Sequence, residues 1–543
     1  MLANPFASDV LVIGSGISGA CAAHRFVELG AETRILDVGM DDAAGRAGIP
    51  DRPFDDIRRE DEEQAAYFIG RKREGVPKKG VIVGAQLTPP RQFIHRQADE
   101  CFPVEPGSFR PLIATAKGGL GAGWGAASFV FSPQELEAIG LPVAEMADAY
   151  RKAAALLGIS GDRQSPVTKW LWPSSAAMQA PLDLDGNASN LLTRWIGKSS
   201  EIGKLGVHAG RIPMAVLTED KGDRKANPYF DMDFYGDSRK SVFRPRYLIE
   251  GLTGKPEFDY RTGVAAFQIQ SRPGERPCVR AFNISTGDVE EFTANKVVLC
   301  ANALNSGRIV LNSLPASGSG TTVLCNPYTY FPTVNLGMLG RPSIGRRHSL
   351  AQFGGVLLDK ARDEIAGVFQ MYSYRSLLLS KLVKEMPLPP SLGLLLARTL
   401  ATSFSIFGIF FRDEMTDEKR MGLVPGEPLE RPKLRFSHAL NNEEKAWRGE
   451  CESRFRSALL QANCVPLGRV DPGPAGSIHY AGTIPRNNAV NERIRTLPDG
   501  TIDGLPNVYA GDSASWNSLP AKGLSFTLAA NAIRVAELAA KST

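Results

Sequence analysis

"DVLVIGSGISGACAAHRFVELGAETRILDVG", Asp9 to Gly39, decides how the rest of the chain is read. Val10 to Ile13 is a short apolar run, as a strand buried on both faces requires. Gly14, Gly16 and Gly19 follow in G-x-G-x-x-G spacing. Ala20 to Leu29 predicts a helix that Gly30 ends, and "TRILD" predicts a second strand with Asp37 at its end. Each residue type has a task. Gly14 allows a tight turn, Gly16 lets the backbone approach a pyrophosphate, and Gly19 lets the helix pack on the strand. The start of the helix then turns free N–H groups and a positive dipole end toward phosphates. Asp37 can accept hydrogen bonds from a ribose diol. Three glycines alone are a weak signal. With strand, helix, second strand and acid in order, a dinucleotide site outweighs a ligand-free glycine turn.

The totals set outer limits. The chain has 543 residues, enough for two or three domains or for one large α/β domain with insertions. Apolar residues make up 43%, so a core can be buried. Lysine and arginine number 63 against 58 acids, a net charge of +5, and no basic block resembles a nucleic-acid arm. The densest basic stretch, "RKREGVPKKG" (Arg71 to Gly80), reads as a solvated loop. Cys21, Cys101, Cys278, Cys300, Cys325, Cys451 and Cys464 are odd in number and contain no C-x-x-C pair, which suits free thiols in a reducing compartment. The first apolar stretch carries the glycine motif at once and so does not read as a signal peptide; the expectation is a cytoplasmic protein. His24, His95, His208, His348, His438 and His479 show no metal-ligand spacing, and no metal is expected. There is no nucleophile elbow, no P-loop and no repeat.

Four further stretches extend the reading. "GLPNVYAGDSAS" (Gly504 to Ser515) predicts a turn, a strand over Val508 to Ala510, and then Gly511-Asp512; the alanine-rich "SFTLAANAIRVAELAA" after it predicts a helix. "KVVLCANALNSGRIVLNS" (Lys296 to Ser313) predicts a buried strand, a turn and a helix. "GGLGAGWGAASF" (Gly118 to Phe129) is a glycine loop that can bring backbone N–H groups close to a ligand, or else a bulged strand. "GSIHYAGTIPRN" (Gly476 to Asn487) sets His479 among small residues, as a catalytic base or as a histidine that bonds backbone in a turn.

In this order, these motifs resemble those of the glucose–methanol–choline flavoprotein oxidoreductases. The resemblance implies an α/β chain with a doubly wound, Rossmann-like FAD-binding domain. We place that domain at residues 1–159, 241–319 and 465–543. An interleaved α+β substrate domain, an antiparallel sheet with cap helices, takes 160–240 and 320–464, where no motif stands out. It further implies that Asp512 bonds the ribityl chain of FAD. Gly118, Gly119, Gly121, Gly123, Trp124, Val264, Ala301 and Gly511 would join Gly14, Gly16, Gly19 and Asp37 around the cofactor. Some relatives link FAD to a histidine just before the tryptophan; here that residue is Gly123, which implies non-covalent FAD. His479 matches the H-x-x-G-T histidine that takes a hydroxyl proton while a hydride passes to flavin N5. The partners implied are a small alcohol-bearing substrate and an electron acceptor, oxygen or another.

The chain departs from that pattern twice. Asn302 stands where a glycine is usual, and Asn is the residue that best tolerates φ > 0 after glycine. Gly523 and Leu524 stand where a second catalytic histidine or asparagine is expected. Asn517 and Lys522 are the nearest polar candidates, Lys522 as a positive charge beside the flavin. This departure keeps two alternatives open: a flavin enzyme doing desaturation or a redox-neutral step, and a non-catalytic binding protein that retains the fold.

"SLGLLLARTLATSFSIFGIFF" (Ser391 to Phe411) has one charge in 21 residues. Read as one helix it carries a polar stripe at Arg398, Thr402 and Ser405. A buried cap helix leads the alternatives. An interfacial helix making peripheral membrane contact, favoured by Lys381 and Lys384 upstream, comes next, and a membrane span last.

Overall fold

A computed structural model describes residues 8–68, 70–72, 89–314, 320–342, 345–359, 361–362, 364–373, 387–487 and 494–542. Most of the basic stretch 71–80, and Lys381 and Lys384, lie outside the described residues.

The first sheet is built on the strand Val10–Ile13. It pairs in parallel with Thr33–Leu36 on one side and Lys296–Leu299 on the other. Phe258–Arg261 and Leu505–Ala510 extend the sheet outward, again in parallel, and Thr501–Ile502 closes one edge antiparallel. A strand buried on both faces must be apolar on both, and Val10–Ile13 obeys this. Val10 and Val12 face one hydrophobic cluster, Leu11 and Ile13 another. On the first face the helices Ile17–Glu28 and Ser525–Lys541 pack together. Ala20, Ala22 and Ala23 on one and Ala529, Ala532 and Ala536 on the other are buried, and such short side chains let helix axes approach closely. On the second face lie the helix Ala303–Ser313 and a three-stranded antiparallel sheet, Val264–Gln270, Cys278–Asn283 and Val289–Thr293. The fold is therefore α/β and doubly wound, as expected.

The second large sheet is antiparallel. Its strands run in the order Cys464–Pro466, Tyr328–Asn335, Phe404–Phe411, Glu364–Ser373, Phe353–Asp359 and Val207–Gly210. Alternation with period two divides its faces. Phe331, Phe369, Phe407 and Phe353 pack under the helices Gly186–Gly197 and Asn442–Gln461, against Trp195 and Phe455. Gln370, Tyr372 and Phe410 point the other way, toward the first sheet. The seven cysteines are free thiols, six of them buried.

The stretch 391–411 is not one helix. Pro390–Leu400 is helical, but Phe404–Phe411 is a strand in the middle of the antiparallel sheet. The phenylalanines and isoleucines of "FSIFGIFF" favour a pleated, two-sided burial that a helix reading by hydropathy misses. Ser405 is thus a buried strand residue paired with Thr333 and Ser373, and the proposed stripe does not exist. Leu392, Leu394 and Leu396 are exposed on the helical part, which corrects the buried-cap reading there. Among the described residues no helix is long and apolar enough to cross a membrane.

Candidate functional site

A cavity of about 270 Å³ runs from the Gly14–Ser18 turn at the end of the first strand to His479 and the inner face of the antiparallel sheet. It is a crevice outside the carboxyl ends of the parallel strands, where open α/β sheets bind ligands.

At the first end, three glycines have three different reasons. Gly14 turns with φ +92°, and a Cβ there would stand 2.7 Å from the Cys300 carbonyl oxygen. A Cβ on Gly19 would stand 1.9 Å from the Gly14 carbonyl oxygen, so that glycine sets the approach of helix to strand and does not itself line the cavity. Gly16 lines the cavity, and a Cβ there would meet no atom of the described residues within 4 Å. Gly16 is also the cap residue of Ile17–Glu28. No side chain caps that helix, and no acid stands in its first turn. Its first N–H groups are left for a ligand.

Asp37 ends the second strand and lines the same cavity. Its carboxylate accepts from the Ser15 hydroxyl and, at 2.9 Å, from the Tyr260 hydroxyl. Burial pushes its pKa up to about 6 against these hydrogen bonds. Asp512 stands further along. It accepts from Ser306 Oγ at 2.6 Å and from the Ala514 amide at 2.9 Å, and burial pushes it up to about 6 as well. Asn302 has φ +72°, the conformation its replacement of glycine required, and its side chain accepts from the Leu304 amide. Beside it, Asn305 lines the cavity with an Oδ1 that is buried and has no partner among the described residues. Val264 and Ala301 complete this wall.

The glycine loop closes the opposite wall. Gly119, Gly121, Gly123 and Trp124 line the cavity. Gly118 does not; its amide donates to Ser15 Oγ at 2.9 Å and ties the loop to the first turn. Gly511 is also set back, since a Cβ there would stand 2.6 Å from Cys300 Sγ. Trp124 Nε1 donates to the Phe243 carbonyl at 2.7 Å, which fixes the indole.

His479 lies at the far end. Its position follows from a short antiparallel pairing in which Cys325 faces Tyr480 and Leu324 faces Ala481. The next residue on one strand, Asn326, therefore meets the preceding residue on the other, His479. His479 Nδ1 and Asn326 Oδ1 are 3.1 Å apart. Asn326 Nδ2 donates to the carbonyls of Phe411 at 2.7 Å and Pro520 at 3.0 Å. Two carbonyls require the nitrogen on that side, so the oxygen must face the histidine. Nδ1 then carries the ring proton, and Nε2 is the basic nitrogen. Phe410 stacks on the ring, 4.7 Å between centroids. Burial pulls the His479 pKa down to about 4, so the ring is neutral at physiological pH.

Two expected residues are elsewhere. Lys522 is fully buried; its Nζ donates to the Val130 carbonyl at 2.8 Å and pairs with Glu135 at 2.6 Å. Glu135 in turn caps the helix Pro133–Ala138, so Lys522 braces structure and does not line the cavity. Asn517 Oδ1 accepts from the Asn487 amide and also stays outside the cavity. Gly523 and Leu524 do line it, next to Ser525 and Leu528. Ser15, Tyr260, Asn305, Ser306, Asn326, Gln370, Tyr372 and Phe410 were not foreseen. Ser15 sits inside the glycine motif and could have been read from it, whereas Asn326 and Phe410 reach the site only through strand register.

Uncapped helix N–H groups, two carboxylates and an unpartnered amide oxygen along one elongated cavity suit an extended ligand carrying phosphates and hydroxyls. The residues present therefore fit a dinucleotide. No family model matches the chain, and no curated protein matches it in sequence. Solved structures do match in fold. Formate oxidase from Aspergillus oryzae RIB40, in a study of how a mutation affects FAD modification, superposes with TM-score 0.62 at 11% identity over 98% of each chain. An FAD-dependent oxidoreductase from Chaetomium thermophilum, bound to a small fragment, superposes with TM-score 0.58 at 12% identity over 98% of each chain. At these identities the likeness is one of fold.

Proposed function

We propose that this chain, which has the fold of glucose–methanol–choline-type flavoproteins, is an FAD-dependent oxidoreductase that oxidises a hydroxyl group of a small molecule, with His479 as the base. The observation that carries this reading is the meeting, in one cavity, of the dinucleotide motif and a neutral histidine whose Nε2 is left without a protein partner among the described residues.

Gly16 and the helix start behind it would hold the pyrophosphate, Asp37 a ribose, and Asp512 with Asn305 the linking chain. Gly123 beside Trp124 offers no nucleophile for a covalent link, which supports non-covalent binding. When bound, the flavin supplies the two-electron acceptor for the hydride that leaves the carbinol carbon. His479 Nε2 takes the hydroxyl proton; the C–H and O–H bonds break and a carbonyl forms. Asn326 keeps the ring in the tautomer that makes this nitrogen basic. Phe410 and the buried surroundings keep the ring neutral and therefore ready to accept. With Gly523 and Leu524 offering no second polar side chain, His479 carries the proton transfer alone.

The test is anaerobic titration of FAD-loaded protein against a panel of primary and secondary alcohols. Bleaching of the flavin by at least one alcohol is expected. A protein that takes up no FAD, or a flavin that no alcohol bleaches, contradicts the proposal.

A further inference from the structure

Resting on that reading, we infer that Gln370 and Tyr372 anchor the substrate by hydrogen bonding, and that the substrate is an uncharged hydroxyl compound with an apolar body.

The strand Glu364–Ser373 turns Phe369 and Met371 into the helix-covered core and Gln370 and Tyr372 into the cavity. Tyr372 Oη donates to Gln370 Oε1 at 2.7 Å. Burial raises the Tyr372 pKa and keeps the phenol protonated. Gln370 is only 7% exposed, yet its Nε2 has no partner among the described residues. That nitrogen is open to the cavity, so a ligand seated there can accept from it in place of water. The adjacent strand places Gly408 opposite Gln370, and Phe410, two residues on, stacks on His479. The amide–phenol pair and the base thus share one face of one sheet. Gly125 brings the glycine loop against the pair; a Cβ on it would stand 3.5 Å from Tyr372 Oη.

The charge of the cavity argues for a neutral occupant. Among the described residues no lysine or arginine lines it, and the two carboxylates, Asp37 and Asp512, sit among the dinucleotide-motif residues. His479 is neutral. An anionic substrate would be buried with no counter-charge. Phe410, Leu524, Leu528 and Ala127 line the same cavity and give it apolar surface for the rest of the molecule.

Calorimetric titration of the FAD-loaded protein with benzyl alcohol and with benzoate separates the possibilities, since the two differ little in shape and fully in charge. Benzyl alcohol is expected to bind at least about tenfold more tightly than benzoate, and Gln370→Leu and Tyr372→Phe are each expected to weaken it by about three- to tenfold with FAD content unchanged. Benzoate binding as tightly, no heat from benzyl alcohol up to its solubility, or unchanged affinity in both variants overturns the inference. Calorimetry reads binding and not chemistry. Benzyl alcohol that binds through Gln370 and Tyr372 yet bleaches no flavin supports the anchor and counts against the proposed reaction.

Discussion

Asn326 Oδ1 faces His479 Nδ1 at 3.1 Å because Cys325 pairs with Tyr480, and the other end of the Asn326 amide is committed to two backbone carbonyls. A ring held this way cannot swap tautomers without losing a bond. Asn326→Ala is expected to lower flavin reduction by substrate by about 10- to 100-fold, a share of the general-base effect, while chemical reduction by dithionite is unchanged. Stopped-flow absorbance checks both rates. Equal loss in both would mean that the substitution damages the flavin site and not the base.

The buried ring also sets a pH signature. Its pKa is lowered from the ordinary 6.5 to about 4. Between those values an unfolded chain binds the proton and the folded one does not, so stability falls as pH falls through this window. The neutral base survives in the fold until about pH 4. The acid limb set by the base itself in the pH profile for flavin reduction should therefore lie near 4, and any inflection near 6 belongs to Asp37 and Asp512. In parallel, His479→Gln should lose less thermal stability than the parent between pH 6.5 and 4.

Gly16 and Gly19 separate ligand binding from folding. A Cβ at Gly19 collides with the Gly14 carbonyl, whereas one at Gly16 stands in open space within the cavity. Gly19→Ala is expected to yield little folded protein. Gly16→Ala should fold with an unchanged urea midpoint as apoprotein but bind FAD more weakly, by about tenfold or more, because the methyl occupies the cradle. Circular dichroism and FAD titration give the two readings.

Lys522 is assigned to structure. Lys522 is fully buried and Glu135 partly so, and removing the lysine leaves the Glu135 carboxylate without its counter-charge. Lys522→Met should cost about 3 kcal/mol of stability in urea unfolding while the flavin spectrum and rate of reduction by substrate remain those of the parent. A changed spectrum would return Lys522 to the cofactor.

The parts of the molecule legible from sequence are those built from local pattern. Val10–Ile13, its helix, Thr33–Leu36 and Lys296–Leu299 announce themselves by apolar runs and glycines, and Asn302 keeps the positive φ expected of it. His479 could be singled out because it matches the H-x-x-G-T element of the family that the chain resembles; the small residues around it left a base and a turn histidine both open. What escaped is set by long-range pairing. "FSIFGIFF" has the hydropathy of a helix and becomes a central strand because neighbours on both sides accept its hydrogen bonds. Asn326 and Phe410 reach His479 across strand registers that no short window contains. Lys522 was misread for the same reason, since its partner Glu135 is 387 residues away.

The most direct test is His479→Gln in FAD-loaded protein, mixed anaerobically with an alcohol that bleaches the parent. The account predicts full FAD content, a parent-like absorbance spectrum, and reduction by the alcohol slowed by about 10²- to 10⁴-fold. Reduction at the parent rate with the cofactor retained would contradict it.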